Sequence, residues 1–384
     1  MASLLSDAGH EIPTSLLPAF LTSTLGAPAT ALGLIEGISD GLAGAAKLGG
    51  GALADDPQRR RTVAVGGYAT TAVLSSLIGV ASSAWQVGVL RAGAWFSRGI
   101  RVPSRNALLA DTVSARSYGR AYGFERAMDN LGAIIGPLLA IALVAAFSTR
   151  TAILISVVPG LLAVLAILYA IKHIERPKGL ERQPFRIRIR PVMKGELGRL
   201  LRAVSLFELG NIAATLLILR ATDLLSSGRG IDEATQIAIG LYVLYNLAAT
   251  LASVPAGRLA DASSPVRVLA LGVAAFAVAY LGFAFVGASI PLLGVFFVAA
   301  GVGIGAVETA EHSAVATLAP QNLRGSSFGA LAAIQSLGNL FASGVVGVLY
   351  VAISPTAAFL VPAVAMLLAL MALTAVGSRT KESS

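Results

Sequence analysis

The chain has 384 residues, of which 55% are hydrophobic and 13% are charged, and its mean hydropathy is +0.77. Soluble domains average about one quarter charged residues, so this composition excludes a soluble globular protein. Because one span needs about 20 apolar residues, the length accommodates about a dozen crossings. The chain has no cysteine, which excludes disulfides and thiolate metal sites. A net charge of +9 on such a chain does not indicate nucleic acid as a partner.

Apolar runs between polar or Pro/Gly breaks predict twelve transmembrane helices. The first six cover residues 3–25, 29–53, 62–83, 86–110, 119–147 and 151–172, and the second six cover 203–224, 234–256, 266–287, 291–316, 325–352 and 355–377. We interpret the basic segment 173–202 as a cytoplasmic linker and residues 378–384 as a cytoplasmic tail. Arginines collect in the loops on the side of Met1, whereas the loops on the other side carry Arg150 and Arg229. This asymmetry predicts that both termini are cytoplasmic.

An internal repeat relates the two sets of helices. A shift of 206 residues, without a gap, superposes the segment Gly51–Asp55 on Gly257–Asp261. The same shift pairs Gly99 with Gly305, and Gly119 with Gly325. The sequence therefore predicts an all-α membrane protein with two pseudo-symmetric six-helix bundles, residues 1–172 and 203–377, and a substrate site between them near the midplane. Parallel repeats of this kind are typical of transporters.

Several segments resemble a known family. GALADDPQRRR, from Gly51 to Arg61, resembles the loop between helices two and three of the major facilitator superfamily, and GRLADASSPVR from Gly257 resembles its second copy. Gly132, Gly136 and Pro137 resemble the beginning of the antiporter motif of the fifth helix. More narrowly, LGLIEGISD and RGIRVPSRNALLAD resemble a bacterial branch of exporters. The resemblance covers essentially the whole chain and implies an exporter of the bacterial inner membrane that works by alternating access.

The resemblance also implies a gating loop that stabilises the outward-facing state. Its residues are Gly51, Asp55, Arg59, Arg60, Arg61, Gly257, Asp261 and Arg267. Independently of the family, Asp55 follows predicted helix two, where a carboxylate can accept backbone N–H bonds from a neighbouring helix and pair with the arginines that follow it. We therefore expect a latch on the cytoplasmic side. In the alternative interpretation, the arginines serve membrane topology alone.

Ionisable side chains are rare inside membranes and usually face a cavity or one another. Here they follow helical spacing: Asp7 with Glu11, Glu36 with Asp40, and Arg98 with Arg101 and Arg105. We expect the arginines of helix four to meet carboxylates of helices one, two and five. Arg98 is predicted to contact an anionic group of the substrate, with a structural ion pair to Glu36 or Asp40 as the alternative. Helices seven and ten add Glu208, near the predicted cytoplasmic start of helix seven, and Asn211, Glu308, Glu311 and His312.

These observations predict a secondary active transporter, not an enzyme, that needs no cofactor and acts as a monomer. The predicted reaction is proton-coupled export, by antiport, of a small organic solute that is anionic or amphipathic. The proton-coupling residues are predicted to be Asp7, Glu11, Glu308 and Glu311, and the substrate-binding residues Glu36, Asp40, Arg98, Arg101, Arg105 and Asn211.

Two alternatives stay open. His10 beside Asp7 and Glu11, and His312 beside Glu308 and Glu311, could supply ligands for efflux of a divalent metal or its chelate, although we predict no resident metal. A non-transporting membrane scaffold or receptor is the alternative from another class. The density of charge inside the membrane argues against a scaffold, which gains nothing from carrying it.

Overall fold

The computed structural model describes residues 1–172 and 183–380, and within them it contains α-helices and no strand. The predicted spans one to six correspond to α1 (Ala2–Ala19), α2 (Ala29–Ala54), α3 (Pro57–Leu77), α4 (Ala84–Thr112), α5 (Tyr118–Ala146), α6 (Thr149–Ile155) and α7 (Val157–Lys172). A short α8 (Ile189–Val192) precedes α9 (Gly195–Glu208), α10 (Ala214–Ser226), α11 (Ile231–Ala262), α12 (Pro265–Phe285), α13 (Ile290–Leu318), α14 (Arg324–Ala352) and α15 (Pro355–Thr380). The chain is an all-α membrane protein with twelve spans, as predicted.

Two predicted spans are divided. The sixth consists of α6 and α7, which are separated at Ser156, and the seventh consists of α9 and α10, which are separated by residues 209–213. The seventh also begins at Gly195 rather than at the predicted residue 203, because Leu197, Leu200 and Leu201 bury an apolar face of α9. Residues 173–182 of the predicted linker and 381–384 of the predicted tail lie outside the described residues.

Eight of the described helical segments are long and apolar enough to cross a membrane by length and composition alone. The remaining four spans are α1, α2, α4 and the divided span α9–α10. These four carry most of the predicted intramembrane charges, which lower their hydropathy. Candidate functional residues therefore lie both in these four charged spans and in apolar spans such as α13, which carries Glu308 and Glu311.

Matched glycine contacts reveal the internal repeat in three dimensions. A Cβ added at Gly99 would lie 2.5 Å from the carbonyl oxygen of Ala43, and one added at Gly305 would lie 2.5 Å from the carbonyl oxygen of Ala249. Adding 206 to the residue numbers of the first pair, Gly99 and Ala43, gives those of the second pair, Gly305 and Ala249. Glycine thus lets α4 approach α2, and α13 approach α11, to backbone contact.

Residues group by contact into two units. The first contains Met1–Thr112, Met128–Val192 and Ala319–Ala333, and the second contains Val113–Ala127, Met193–Leu318 and the chain from Ile334. Residues 118–127 of α5 thus belong to the second unit, and residues 324–333 of α14 to the first unit. Aliphatic and aromatic side chains pack one core of the first unit, and a cluster of aromatic rings around Phe283 packs the second. The division into bundles at residues 172 and 203 stays a prediction.

Candidate functional site

A row of arginines on α4 is paired with polar groups of α1 and α2 in the first unit. Arg91 is 1% exposed. Its Nη2 lies 3.0 Å from Glu36 Oε1, its Nη1 donates to Thr14 Oγ1 at 2.9 Å, and its guanidinium lies 3.4 Å from the ring centroid of Trp95. Trp95 Nε1 donates to Asp40 Oδ1 at 2.9 Å. Glu36 and Asp40 therefore interact with Arg91 and Trp95, and the alternative ion pair of Arg98 with either acid is wrong.

Arg98 instead meets α1. Its Nη1 lies 2.8 Å from His10 Nε2, and its Nη2 lies 3.7 Å from Asp7 Oδ1. The side chain of Arg98 is 33% exposed, whereas those of Asp7 and His10 are almost fully buried. Glu11 Oε1 lies 3.2 Å from His10 Nε2. The spacing Asp7–His10–Glu11 thus brings two acids and one imidazole to a single accessible arginine.

The next two arginines are held by other partners. Arg101 is 1% exposed, donates to Ser6 Oγ at 2.9 Å and lies 3.9 Å from the ring centroid of Tyr68. Arg105 lies 3.4 Å from Asp129 Oδ2, on α5. Arg105 therefore meets a carboxylate of the fifth helix, as expected. Burial and these contacts indicate that Arg101 has a structural role in this conformation.

The glycines that resemble the antiporter motif lie where α5 packs on α1. A Cβ added at Gly132 would lie 2.8 Å from the carbonyl oxygen of Leu4 and 2.9 Å from Asp7 Cβ, and one added at Gly136 would meet Glu11 Cβ. Pro137 follows Gly136 inside α5. The motif thus determines how closely α5 approaches the two acids of α1.

Acidic residues of α13 form a second cluster, in the second unit. Glu311 is 0% exposed, and its Oε2 accepts from Gln335 Nε2 at 2.8 Å. Glu308 Oε2 lies 3.8 Å from Arg126 Nη1, and Arg126 forms a two-point ion pair with Glu125. The repeat pairs Arg105 with Glu311, so equivalent positions are basic in one unit and acidic in the other.

Asn211 lies in the break between α9 and α10. Its Nδ2 donates to Glu208 Oε2 at 3.0 Å, and its carbonyl oxygen accepts from Asn339 Nδ2 at 2.9 Å. Ser343 Oγ accepts from the N–H of Ala213. Side chains of α14 therefore satisfy backbone groups that the break exposes, as membrane burial requires. Glu208 is the last residue of α9 and 2% exposed, so its predicted position near the start of helix seven is wrong.

The two copies of the gating loop make equivalent contacts. Asp55 accepts from the backbone N–H of Ser326 at 2.8 Å and from its Oγ at 2.5 Å, at the start of α14. Asp261 accepts from the backbone N–H groups of Gly119 and Arg120 at 2.6 and 3.0 Å, at the start of α5. Gly51 and Gly257 allow these approaches, because an added Cβ would meet the carbonyl oxygens of Gly325 and Gly119.

The arginines of the loop contact other acids. Arg60 donates to the carbonyl oxygen of Ala54 and pairs with Asp111 at 2.5 Å, and Arg59 lies 3.2 Å from Asp56. Asp56 also accepts from the backbone N–H of Gln58 as the N-cap of α3. Asp55 thus caps the start of α14 through Ser326, whereas Arg59 and Arg60 form their ion pairs with Asp56 and Asp111. Arg61 is the fifth residue of α3, and Arg267 is the third residue of α12.

Sequence reasoning missed several partners. Asp111 joins Arg60 to Arg324, and Trp95 bonds Asp40 while it stacks under Arg91. The position of Trp95, four residues after Arg91 and three before Arg98, was a usable signal, because those residues share one helix face. Among residues 1–172 and 183–380, no group of three His, Asp or Glu side chains is arranged to hold a metal ion.

Twelve spans in two repeated halves, with paired charges inside, define a membrane transporter. A sequence profile of the Major Facilitator Superfamily matches residues 1–221 and 200–384. The chain belongs to this superfamily. It is 28% identical to an uncharacterised MFS-type transporter of Methanocaldococcus jannaschii, over 93% of this chain and 88% of that protein.

Solved structures share the fold. A bacterial homologue of the iron transporter ferroportin, in an outward-facing state, matches with a TM-score of 0.78 and 15% identity, over 98% of both chains. The human organic anion transporter MFSD10 (TETRAN) matches with a TM-score of 0.73 and 16% identity, over 97% of this chain and 98% of that one. Identities this low show the fold alone.

Proposed function

We propose that this transporter couples protons to the movement of a small organic anion, with Arg98 as the anion contact and the Asp7–His10–Glu11 group as the proton carrier. The observation that carries the proposal is the contact between Arg98 Nη1 and His10 Nε2, at 2.8 Å. Arg98 is also accessible, with a side chain that is 33% exposed, whereas Arg91 and Arg101 are buried in fixed contacts.

The proposal requires one protonation state of His10. A guanidinium has donors and no acceptor, so His10 Nε2 accepts from Arg98 only when the ring proton lies on Nδ1. His10 Nδ1 is placed to donate to the carbonyl oxygen of Ser6, at 3.0 Å. In the proposed state, therefore, the imidazole is neutral while it contacts Arg98.

A second proton on His10 changes the partner of Arg98. Protonated Nε2 can no longer accept from Arg98, and it would donate to Glu11 Oε1, which lies 3.2 Å away. Histidine can take up a proton on its second ring nitrogen, which makes it a suitable carrier. Proton binding thus frees an accessible guanidinium, which is a preferred partner for carboxylates and other planar anions.

The sign of the coupling follows from linkage. If protonation frees Arg98 for the anion, then bound anion must favour protonation by the same factor. Proton and anion then bind together and move in the same direction. The antiport predicted from the fifth-helix motif requires the opposite sign, in which proton binding displaces the substrate. The acids of α13 are proposed as a second proton site, supported by the burial of Glu311.

We further propose that the protein acts as a monomer in a bacterial inner membrane, with both termini cytoplasmic. The arginine-rich loops on the side of Met1 support this orientation. Alternating access is supported by the family resemblance of the gating loop. Export by antiport, which the resemblance to exporters implies, is the alternative to joint movement of proton and anion.

The test uses purified protein in liposomes that enclose a pH-sensitive dye. Small aliphatic and aromatic sulfonates are added outside, because they remain ionised and do not carry protons by diffusion. We expect acidification of the lumen with at least one sulfonate, and its loss in Arg98→Gln and His10→Gln. Arg229→Gln is the matched control, because Arg229 has a side-chain exposure of 35% and pairs with Glu233 outside this site.

The outcomes separate the alternatives. Alkalinisation of the lumen would support antiport and refute joint binding of proton and anion. Activity that survives in Arg98→Gln would refute the anion contact. If none of the sulfonates changes the pH of the lumen, in protein shown to be folded, the proposed substrate class is refuted.

A further inference from the structure

A small cavity lies behind α1 in the first unit, on the side of α3 and α7. It is lined by Ser6, Gly9, His10, Tyr68, Thr71, Ala72, Ser75 and Gly160. The cavity leaves about 10 Å³ for the centre of a water-sized molecule, which is about what one water requires. Most of its wall is apolar, but four residues that carry hydroxyl groups and one histidine contribute to the lining.

Two of these hydroxyl groups have no partner among the described residues. Tyr68 Oη and Ser75 Oγ are buried and make no hydrogen bond within residues 1–172 and 183–380, and the two residues are 1% and 2% exposed. The ring of Tyr68 is held under Arg101, 3.9 Å from its guanidinium. Buried polar groups are almost always satisfied by protein or by ordered water, and a buried water makes two to four hydrogen bonds.

We propose that this cavity is a water site, in which one ordered water bridges Tyr68 Oη and Ser75 Oγ and gives His10 a polar neighbour on its α3 side. Arg98 occupies the α4 side of the same imidazole. The site therefore places solvent next to the proton carrier without opening the side that binds the anion. This functional part rests on the proposed function, whereas the water site stands on the cavity and its unpartnered hydroxyls.

The water is tested by the sign of a stability change. We compare Tyr68→Phe, Ser75→Ala and the double variant with Ser104→Ala, by thermal unfolding in detergent at one scan rate. Ser104 is the matched control, because its Oγ is also buried and unpartnered among the described residues but does not line the cavity. Removing an unsatisfied buried hydroxyl is neutral or stabilising, whereas removing the partner of a bound water is destabilising.

We expect the Tm to fall by about 1–3 °C in each cavity variant, and to stay unchanged or rise in Ser104→Ala. The double variant should lose less than the sum of the single losses, because both lose the same water. A rise in Tm in both cavity variants would show a dry cavity and overturn the proposal. Additive losses would overturn the bridge between the two hydroxyls.

The functional part is tested in the liposome assay with the same variants. We expect sulfonate-driven proton movement to slow at least severalfold in the double variant and to persist in Ser104→Ala. Stability losses with unchanged proton movement would overturn the link to His10 and leave a structural water. If the wild-type protein moves no protons, the proposed function fails, and the stability series still decides the water site.

Discussion

Replacing Asp55 by alanine should release the start of α14 from the end of α2. Asp55 is 1% exposed and holds Ser326 through its backbone N–H and its hydroxyl. Loss of an N-cap acceptor costs about 0.5–2 kcal/mol. We add nothing for the attraction between the carboxylate and the helix dipole, because desolvation of the carboxylate opposes it. A loss of about 1.4 kcal/mol corresponds to a tenfold change in population.

Because the chain has no cysteine, a single introduced cysteine can report this release by its rate of labelling. Ser327 is 0% exposed in the first turn of α14, so Ser327→Cys reacts with a membrane-impermeant maleimide only when that turn opens. When reclosing is faster than labelling, the rate measures the open population. We expect labelling about tenfold faster when Asp55→Ala is added.

Two further variants serve as controls. Asp55→Asn keeps an acceptor for Ser326 and should change the rate less than Asp55→Ala does. Asp223→Asn alters a carboxylate that accepts from Tyr350 in the second unit, and it should leave the rate unchanged. If Asp55→Ala leaves labelling as slow as in Ser327→Cys alone, the capping hydrogen bonds do not hold α14, and the latch is refuted.

Three further predictions follow from the same contacts. Burial raises the pKa of the Asp55 carboxyl above 3.8, although hydrogen bonds from Ser326 act in the opposite direction. Because the pKa is raised, the contribution of Asp55 to stability is complete below about pH 3.8. It is lost, by about 1.4 kcal/mol per pH unit, as the pH rises through the raised pKa. Labelling of Ser327→Cys should therefore slow with falling pH relative to the Asp55→Asn background, and equal pH profiles would refute the shift. Arg91→Gln should cost about 2–3 kcal/mol in thermal unfolding, because it leaves Glu36 and Thr14 unpaired. Arg98→Gln should cost under about 1 kcal/mol, because the side chain of Arg98 is accessible. Equal losses would contradict the division into structural and accessible arginines. Gly136→Ala should push α1 away from α5 at Glu11, lower the stability by about 1–3 kcal/mol and reduce proton movement. Gly41→Ala is the control and should have neither effect, because a Cβ added there meets nothing within 4 Å.

Hydropathy and the internal repeat predicted the membrane spans, because both can be read directly from the composition and the order of the amino acids. Membrane burial requires long apolar runs, and the 206-residue shift reappears as the glycine contacts of Gly99 with Ala43 and Gly305 with Ala249. The break at residues 209–213 was not predictable from apolar runs. Its backbone groups are satisfied by Asn339 and Ser343, which are distant in sequence, and no local pattern records that compensation.

The pairing of charges was only partly predictable. Helical spacing identified which acids and arginines share a face, and the expected pairing of a helix-four arginine with a helix-five carboxylate is the contact of Arg105 with Asp129. Spacing does not determine the depth or rotation of one helix against another, so the choice for Arg98 between a substrate contact and an ion pair with Glu36 or Asp40 stayed open. In the structure Arg91 contacts Glu36, and Trp95 donates its own N–H to Asp40.

The repeat keeps the position of the two capping aspartates, while the groups that donate to them differ. At the ends of α2 and α11 the same aspartate caps the start of another helix, but Asp55 is buried against a serine hydroxyl, whereas Asp261 shares its carboxylate with Arg120, whose side chain is 57% exposed. Exposed ion pairs contribute little, so Asp261 holds the start of α5 mainly through the backbone N–H groups of Gly119 and Arg120. Asp55 holds the start of α14 through one backbone N–H and one hydroxyl, both of Ser326. The same aspartate thus caps two helices with different sets of donors.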